Sequence, residues 1–155
     1  MGLDMYLTGR KYVKDWAYNY DGDVIPEDTP AKVCAKACGI VNAPVSYLIL
    51  DLAYWRKANS IHGWFVKNVQ GGEDDCREYS VGRDELEALL ALVNRVIDGD
   101  GKPEDLLPPE GGFFFGSTDI DDGYMQDMVD TKDALTKILN DPSLAGVNFY
   151  YQSSW

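Results

Sequence analysis

The chain has 155 residues, 45% of them apolar and 12% aromatic, and a formal net charge of −12. That length and content predict a single globular domain over residues 1–155, large enough for a real core, and they exclude a disordered tail. Three cysteines, two of them in the CAKAC stretch at Cys34 and Cys38, make no disulfide framework and read as reduced thiols in a cytosol.

In chain order, Gly2 to Thr8 alternates Leu3, Met5 and Leu7 against Asp4, Tyr6 and Thr8, the period of a half-buried strand. Gly9 and Arg10 read as a turn into a second strand, Lys11 to Trp16, giving a hairpin. Tyr18 to Pro30 is turn chemistry without apolar period. Ala31 to Gly39 predicts a short helix closed by glycine. Val45 to Leu50 reads equally as a short strand or as the lead-in to a central helix.

That central helix is predicted over Leu50 to Val69. Leu50, Tyr54, Ala58, Ile61, Phe65 and Val69 recur at spacings of four and three, as on one helical face. After an exposed loop, Cys76 to Val81 alternates as a strand. Leu86, Leu89, Leu90, Val93 and Ile97 then form the apolar stripe of a second helix, with acids in its first turn and Gly99 as its stop. Phe113 to Phe115 predicts a short buried strand leading through Gly116-Ser117-Thr118-Asp119 into a third helix, on which Tyr124, Met128, Thr131, Leu135 and Ile138 share a face. Val147 to Tyr151 closes the chain as a strand, with the terminal aromatics docked. Strands and helices mix without a βαβ period, which predicts an α+β fold: a mostly antiparallel sheet with about three helices packed on it.

No apolar run is long enough to span a bilayer, and the N-terminus has no basic segment followed by an apolar one, so neither a membrane partner nor a secretory signal is expected. Charge is uneven. Residues 1–70 hold 8 Lys/Arg against 7 Asp/Glu, a net of +1, while residues 71–155 hold 6 against 19, a net of −13. Such a field opposes binding of free nucleic acid. It suits either solvation or docking on a basic protein surface, with Asp119, Asp121, Asp122 and Asp127 as the docking acids.

Two groups of residues carry the chemistry of binding. On the predicted central helix, Trp55 and Trp64 offer stacking faces, Arg56 and Lys57 offer charge, and Asn59 and His62 offer polar readout of a flat anionic ligand. At the third helix, Ser117 and Thr118 precede a predicted N-terminus whose free N–H groups suit an anion. The alternatives are packing for the tryptophans and ordinary N-capping for the hydroxyls. Metal chemistry has little behind it: Asp119, Asp121 and Gly123 open like a calcium loop, but Tyr124 stands where the EF-hand needs glycine and Asp130 where it needs glutamate. One His, no G-x-S-x-G elbow and no Walker loop leave enzymatic nucleotide hydrolysis as the third-ranked reading. No metal or cofactor is expected.

The opening GLDMYL, the stretch AYWRKANSIHGWFV, the turn FFFGST and the closing FYYQSSW together resemble a family of small phage- and prophage-encoded proteins of unknown function. The resemblance implies a viral accessory protein in the bacterial host cytosol and transfers no catalytic residues. By analogy with small acidic phage proteins that oppose host defence, the expectation is non-enzymatic sequestration of a small anionic, nucleotide-type ligand. The alternative is a protein–protein inhibitor with an acidic C-terminal half. A homo-oligomer fits the first reading, because one helix rarely encloses a ligand and pockets favour interfaces.

Overall fold

A computed structural model describes residues 2–41 and 43–155. The fold is α+β. Four strands form one antiparallel sheet in the order β2-β1-β4-β3. These strands are β1 (Asp4–Tyr12), β2 (Tyr47–Arg56), β3 (Tyr79–Val81) and β4 (Asn148–Ser154). The helices are α1 (Pro30–Ala37), α2 (Asn59–Asn68), α3 (Arg83–Asp98), the single turn α4 (Pro103–Leu106) and α5 (Asp122–Asn140). The chain divides into two compact units. One runs to Gly9 and resumes from Asp51 to Trp155; the other is Arg10–Leu50.

The core of the larger unit follows from apolar period. Leu3, Met5 and Leu7 are fully buried, as their alternation predicts. Gly9 continues that face, where a Cβ would stand 2.7 Å from Val147 Cγ1, so only glycine lets the neighbouring chain so close. On β4, Phe149, Tyr151 and Ser153 point inward, and β3 pairs with it through Tyr79–Tyr151, Ser80–Tyr150 and Val81–Phe149.

Helix α3 buries Leu86, Leu89, Val93 and Val96; Leu90 and Ile97, predicted for its stripe, are half-buried at the margins. Its first turn is closed by Gly82 N–H donating to Glu85 Oε2 at 2.6 Å, and Gly99 ends it at φ 72°, the left-handed conformation a C-terminal glycine takes without strain. Helix α5 buries Tyr124, Met128, Thr131, Leu135 and Ile138, the five residues its period picks out, and packs extensively on α3.

Three predicted elements are corrected. The expected hairpin is one strand, because β1 runs through Gly9 and Arg10 to Tyr12 without turning. The predicted helix over Leu50–Val69 is a strand, a turn and a shorter helix. Leu50 and Tyr54 are four apart, a spacing that fits period two as well as period 3.6, and β2 takes the extended option. Lys57 N–H then donates to Leu3 O at 2.8 Å, and Lys57 adopts φ 61°, which no helix interior tolerates. Only beyond it do Ala58, Ile61 and Phe65 form the buried helical face. The third correction is Phe113–Phe115, a turn rather than a buried strand, with Phe113 95% exposed. No helix among the described residues is long and apolar enough to cross a membrane.

The smaller unit is built differently. Asp15 accepts from Tyr20 OH at 2.9 Å and from Thr29 Oγ1 at 2.6 Å, and Thr29 caps α1 ahead of Pro30 at its first position. Tyr12 and Tyr47 pack edge to face, and Trp16 donates to Tyr12 OH at 2.8 Å while stacking on Tyr18. Within this unit the buried described residues are Thr29 and Ala31 alone.

Candidate functional site

Helix α2 lies at the centre of the larger unit, and its polar side chains are engaged inside it. Asn59 is buried and uses both ends of its amide. Nδ2 donates to Phe115 O at 3.2 Å and Ser117 O at 2.7 Å, and Oδ1 accepts from Glu110 N–H at 3.2 Å. One side chain thus clamps the strap from Glu110 to Ser117 onto the start of α2. Gly63, one turn on, gives the strap room, since a Cβ there would overlap Glu110 Cγ.

His62 lies in a relay. Its Nδ1 is 2.8 Å from Tyr151 OH and its Nε2 3.0 Å from Asp74 Oδ2. An ionised carboxylate only accepts, so Nε2 carries the proton and Nδ1 accepts from the tyrosine hydroxyl. Burial, with the nearby Asp74 and Cys76 adding to it, pushes the Tyr151 hydroxyl well above its usual range and keeps it a neutral donor. Trp155 Nε1 donates to the other Asp74 oxygen at 3.1 Å, Phe115 meets the imidazole edge-on, and Phe65 stacks flat on Tyr151 with ring centroids 3.9 Å apart. The carboxylate–imidazole–hydroxyl order is that of a nucleophile triad. Here, however, the hydroxyl at its end is 0% exposed, so no substrate reaches it. The relay ties the loop after α2 and the C-terminus to the core.

The structure joins Asn59 to Ser117 through the Ser117 carbonyl but does not gather the eight residues expected to hold an anionic ligand around one site. Trp55 is 4% exposed, with Nε1 donating to Thr131 Oγ1 at 2.9 Å; it packs on α5 instead of facing a ligand. Asn59 and His62 are committed as described. Arg56 and Lys57 are exposed at the end of β2. The Lys57 stem lies against Gly2 and Gly116, where an added Cβ would come within 3.2 Å and 3.4 Å of it. Ser117 and Thr118 are exposed but not at a helix N-terminus, a correction to the expected anion seat. Ser117 Oγ donates to Asp119 Oδ2 and accepts from Asp119 N–H, both at 3.0 Å. Helix α5 begins only at Asp122, and its cap is the Asp121 carboxylate, accepting from Tyr124 N–H at 3.0 Å. A negative group already holds the place an anion would take.

Trp64 lines a cleft with Ser60, Lys67, Leu106, Asp105 and Glu110. At about 230 Å³ it is smaller than the cavities that enclose nucleotide-sized ligands, and its two carboxylates against one lysine oppose an anion.

The outer side of α5 has the opposite character. Asp122, Gln126, Val129, Asp130 and Asp133 are exposed on it, continuing from exposed Asp119 and Asp121. Asp130 accepts from Gln126 Nε2 at 2.8 Å, and among the described residues no ion pair is formed by any of these acids. Their field is felt by Asp127, half-buried on the same helix. Burial first, then the charges of Asp130 and Asp121, push its carboxyl up to about 6. Among the described residues no group of three or more His, Cys, Asp or Glu side chains is gathered as a metal would require. Sequence reading named Asp119, Asp121, Asp122 and Asp127 for such a face; the structure leaves the first three exposed, half-buries Asp127, and adds Asp130 and Asp133 through the helix.

Compared with protein-family models, with curated proteins and with solved structures, the chain matches none of them.

Proposed function

We propose that this protein acts by binding another protein, docking the carboxylate face of α5 on a basic surface, and that it is not an enzyme. The observation behind this reading is the row Asp122, Asp130 and Asp133, exposed and without cationic partners among the described residues. Unpaired carboxylates on a rigid helix keep their full field for an incoming basic partner and accelerate its encounter. Capture of a small anionic nucleotide, the other reading, has less support, because Trp55, Asn59 and His62 are occupied inside the fold. The resemblance to phage-encoded accessory proteins directs the search for the partner to bacterial host proteins.

The test is affinity capture from a bacterial lysate at low salt, with the wild type and a triple variant Asp122→Lys, Asp130→Lys, Asp133→Lys side by side. A basic protein held by the wild type, released by added salt and lost with the variant supports docking through α5. Equal capture by both proteins refutes it.

A further inference from the structure

The sheet has two outer strands, and only one of them is short. The order β2-β1-β4-β3 leaves β2 and β3 at the edges. β3 is three residues long, which is itself a way to blunt an edge. β2 is ten residues long, YLILDLAYWR, with no proline, glycine or lysine in it, and before Arg56 its only charge is Asp51. Natural sheets protect long edges with lysine, proline, bulges or a covering element, because an open row of N–H and C=O groups is a template for another strand. In its first half, β2 has one charged side chain, Asp51, and neither lysine nor proline.

Its side chains also favour a particular second strand. Tyr47, Ile49 and Asp51 are all exposed, Tyr47 at 52% and Ile49 at 65%, and alternation puts them on one face. We propose that β2 pairs antiparallel with β2 of a second copy of this chain, about a twofold axis at Ile49, forming one continuous eight-stranded sheet. A twofold axis perpendicular to the sheet keeps each side chain on its own face, so the strand pairs with itself only in registers centred on a residue. Centring on Asp51 would oppose two carboxylates. Centring on Leu50 would set Asp51 against Ile49. Centring on Ile49 places Ile49 beside its own copy and Asp51 beside the Tyr47 hydroxyl of the other chain, while Leu48 and Leu50 meet on the opposite face.

Charge favours the same place. The unit Arg10–Leu50 holds 5 Lys/Arg and 5 Asp/Glu, whereas the rest of the chain holds 9 against 21. Two copies of a chain with net charge −12 repel one another, and the stretch from Val45 to Ala53 adds a single acid from each. Added salt screens the repulsion and leaves the backbone pairing intact, so the dimer tightens with salt. Docking through α5 weakens with salt, so the two proposals are separable in one titration.

The test is sedimentation velocity on the full chain, at low and physiological salt. The expected result is twice the chain mass, with dissociation shifted to lower protein concentration as salt rises. Ile49→Lys puts a cation on an exposed edge position and should give the single-chain mass with an unchanged circular dichroism spectrum. Phe113→Lys, a control at an exposed apolar residue outside the strand, should stay dimeric. Ile49→Cys tests the register, because directly opposed strand residues lie about 4.5–5.5 Å apart between Cα atoms, inside the reach of a disulfide. With Cys34, Cys38 and Cys76 replaced by serine, mild oxidation of Ile49→Cys should give a covalent dimer that Val129→Cys in the same background does not form. A wild type that sediments as one chain, or an Ile49→Lys protein that remains dimeric, overturns the proposal. A dimer without the Ile49→Cys crosslink overturns the axis at Ile49.

Discussion

Asp127 is the side chain on which the acidic face of α5 acts most directly, and replacing it with asparagine measures that field. Its carboxyl is raised from the ordinary 3.8 to about 6, by burial first and by Asp130 and Asp121 after it. The folded protein therefore holds the proton more tightly than the unfolded chain. Between about pH 4 and pH 6 the folded state binds more protons, so stability falls as pH rises through that window, and above it the whole cost of the charge is present. A fully sealed carboxyl with this shift would cost roughly 3 kcal/mol. Asp127 is only half-buried, and solvent screening reduces that to about 1–2 kcal/mol. An asparagine side chain keeps the shape and carries no charge. Urea unfolding of Asp127→Asn should show it more stable than wild type by about 1–2 kcal/mol at pH 7, with the difference shrinking to nothing by about pH 4. In a thermal melt that gain is a rise of roughly 2–8 °C. A variant whose advantage is the same at both pH values, or which is less stable at pH 7, would refute the reasoning.

Three further outcomes concern the interior. Asn59→Ala removes three hydrogen bonds and frees the strap, which should cost about 3 kcal/mol in urea unfolding and expose the 110–117 segment to protease. Tyr151→Phe keeps the stack on Phe65 but leaves His62 Nδ1 without its donor, a loss of about 1–3 kcal/mol; an unchanged unfolding midpoint would mean the relay carries no stability. Trp55→Ala and Arg56→Ala should diverge in the same assay. The first empties buried space and removes the bond to Thr131, costing about 3–5 kcal/mol, while the second alters an exposed side chain and stays within about 0.5 kcal/mol.

Local pattern alone determined α3, α5, the start of β1 and the closing strand. Each has a periodic apolar set with a stop or cap beside it. On α5 the five side chains that period selects are the ones the core covers; on α3 Leu86, Leu89 and Val93 are covered, while Leu90 and Ile97 lie half-buried and Val96 takes a core place that the stripe did not include. The α+β class followed from their order. The boundary inside Leu50–Val69 was not legible, because residues four apart satisfy strand and helix alike. Tertiary contact decided it: β2 joins the sheet beside β1, and just past its end Lys57 N–H donates to Leu3 O, the residue before β1. The same holds for the candidate binding residues. Tryptophan, asparagine and histidine suit a ligand and suit a core equally well, and composition does not say which partner they will find. Thr131, the strap carbonyls, Asp74 and Tyr151 lie 12 to 89 residues away in sequence and come within hydrogen-bonding distance only on folding. Net charge was visible from the sequence, but the placing of Asp122, Asp130 and Asp133 on one exposed side required α5 to bury its apolar stripe. A helix that turns one face to the core has no choice about what it shows to solvent.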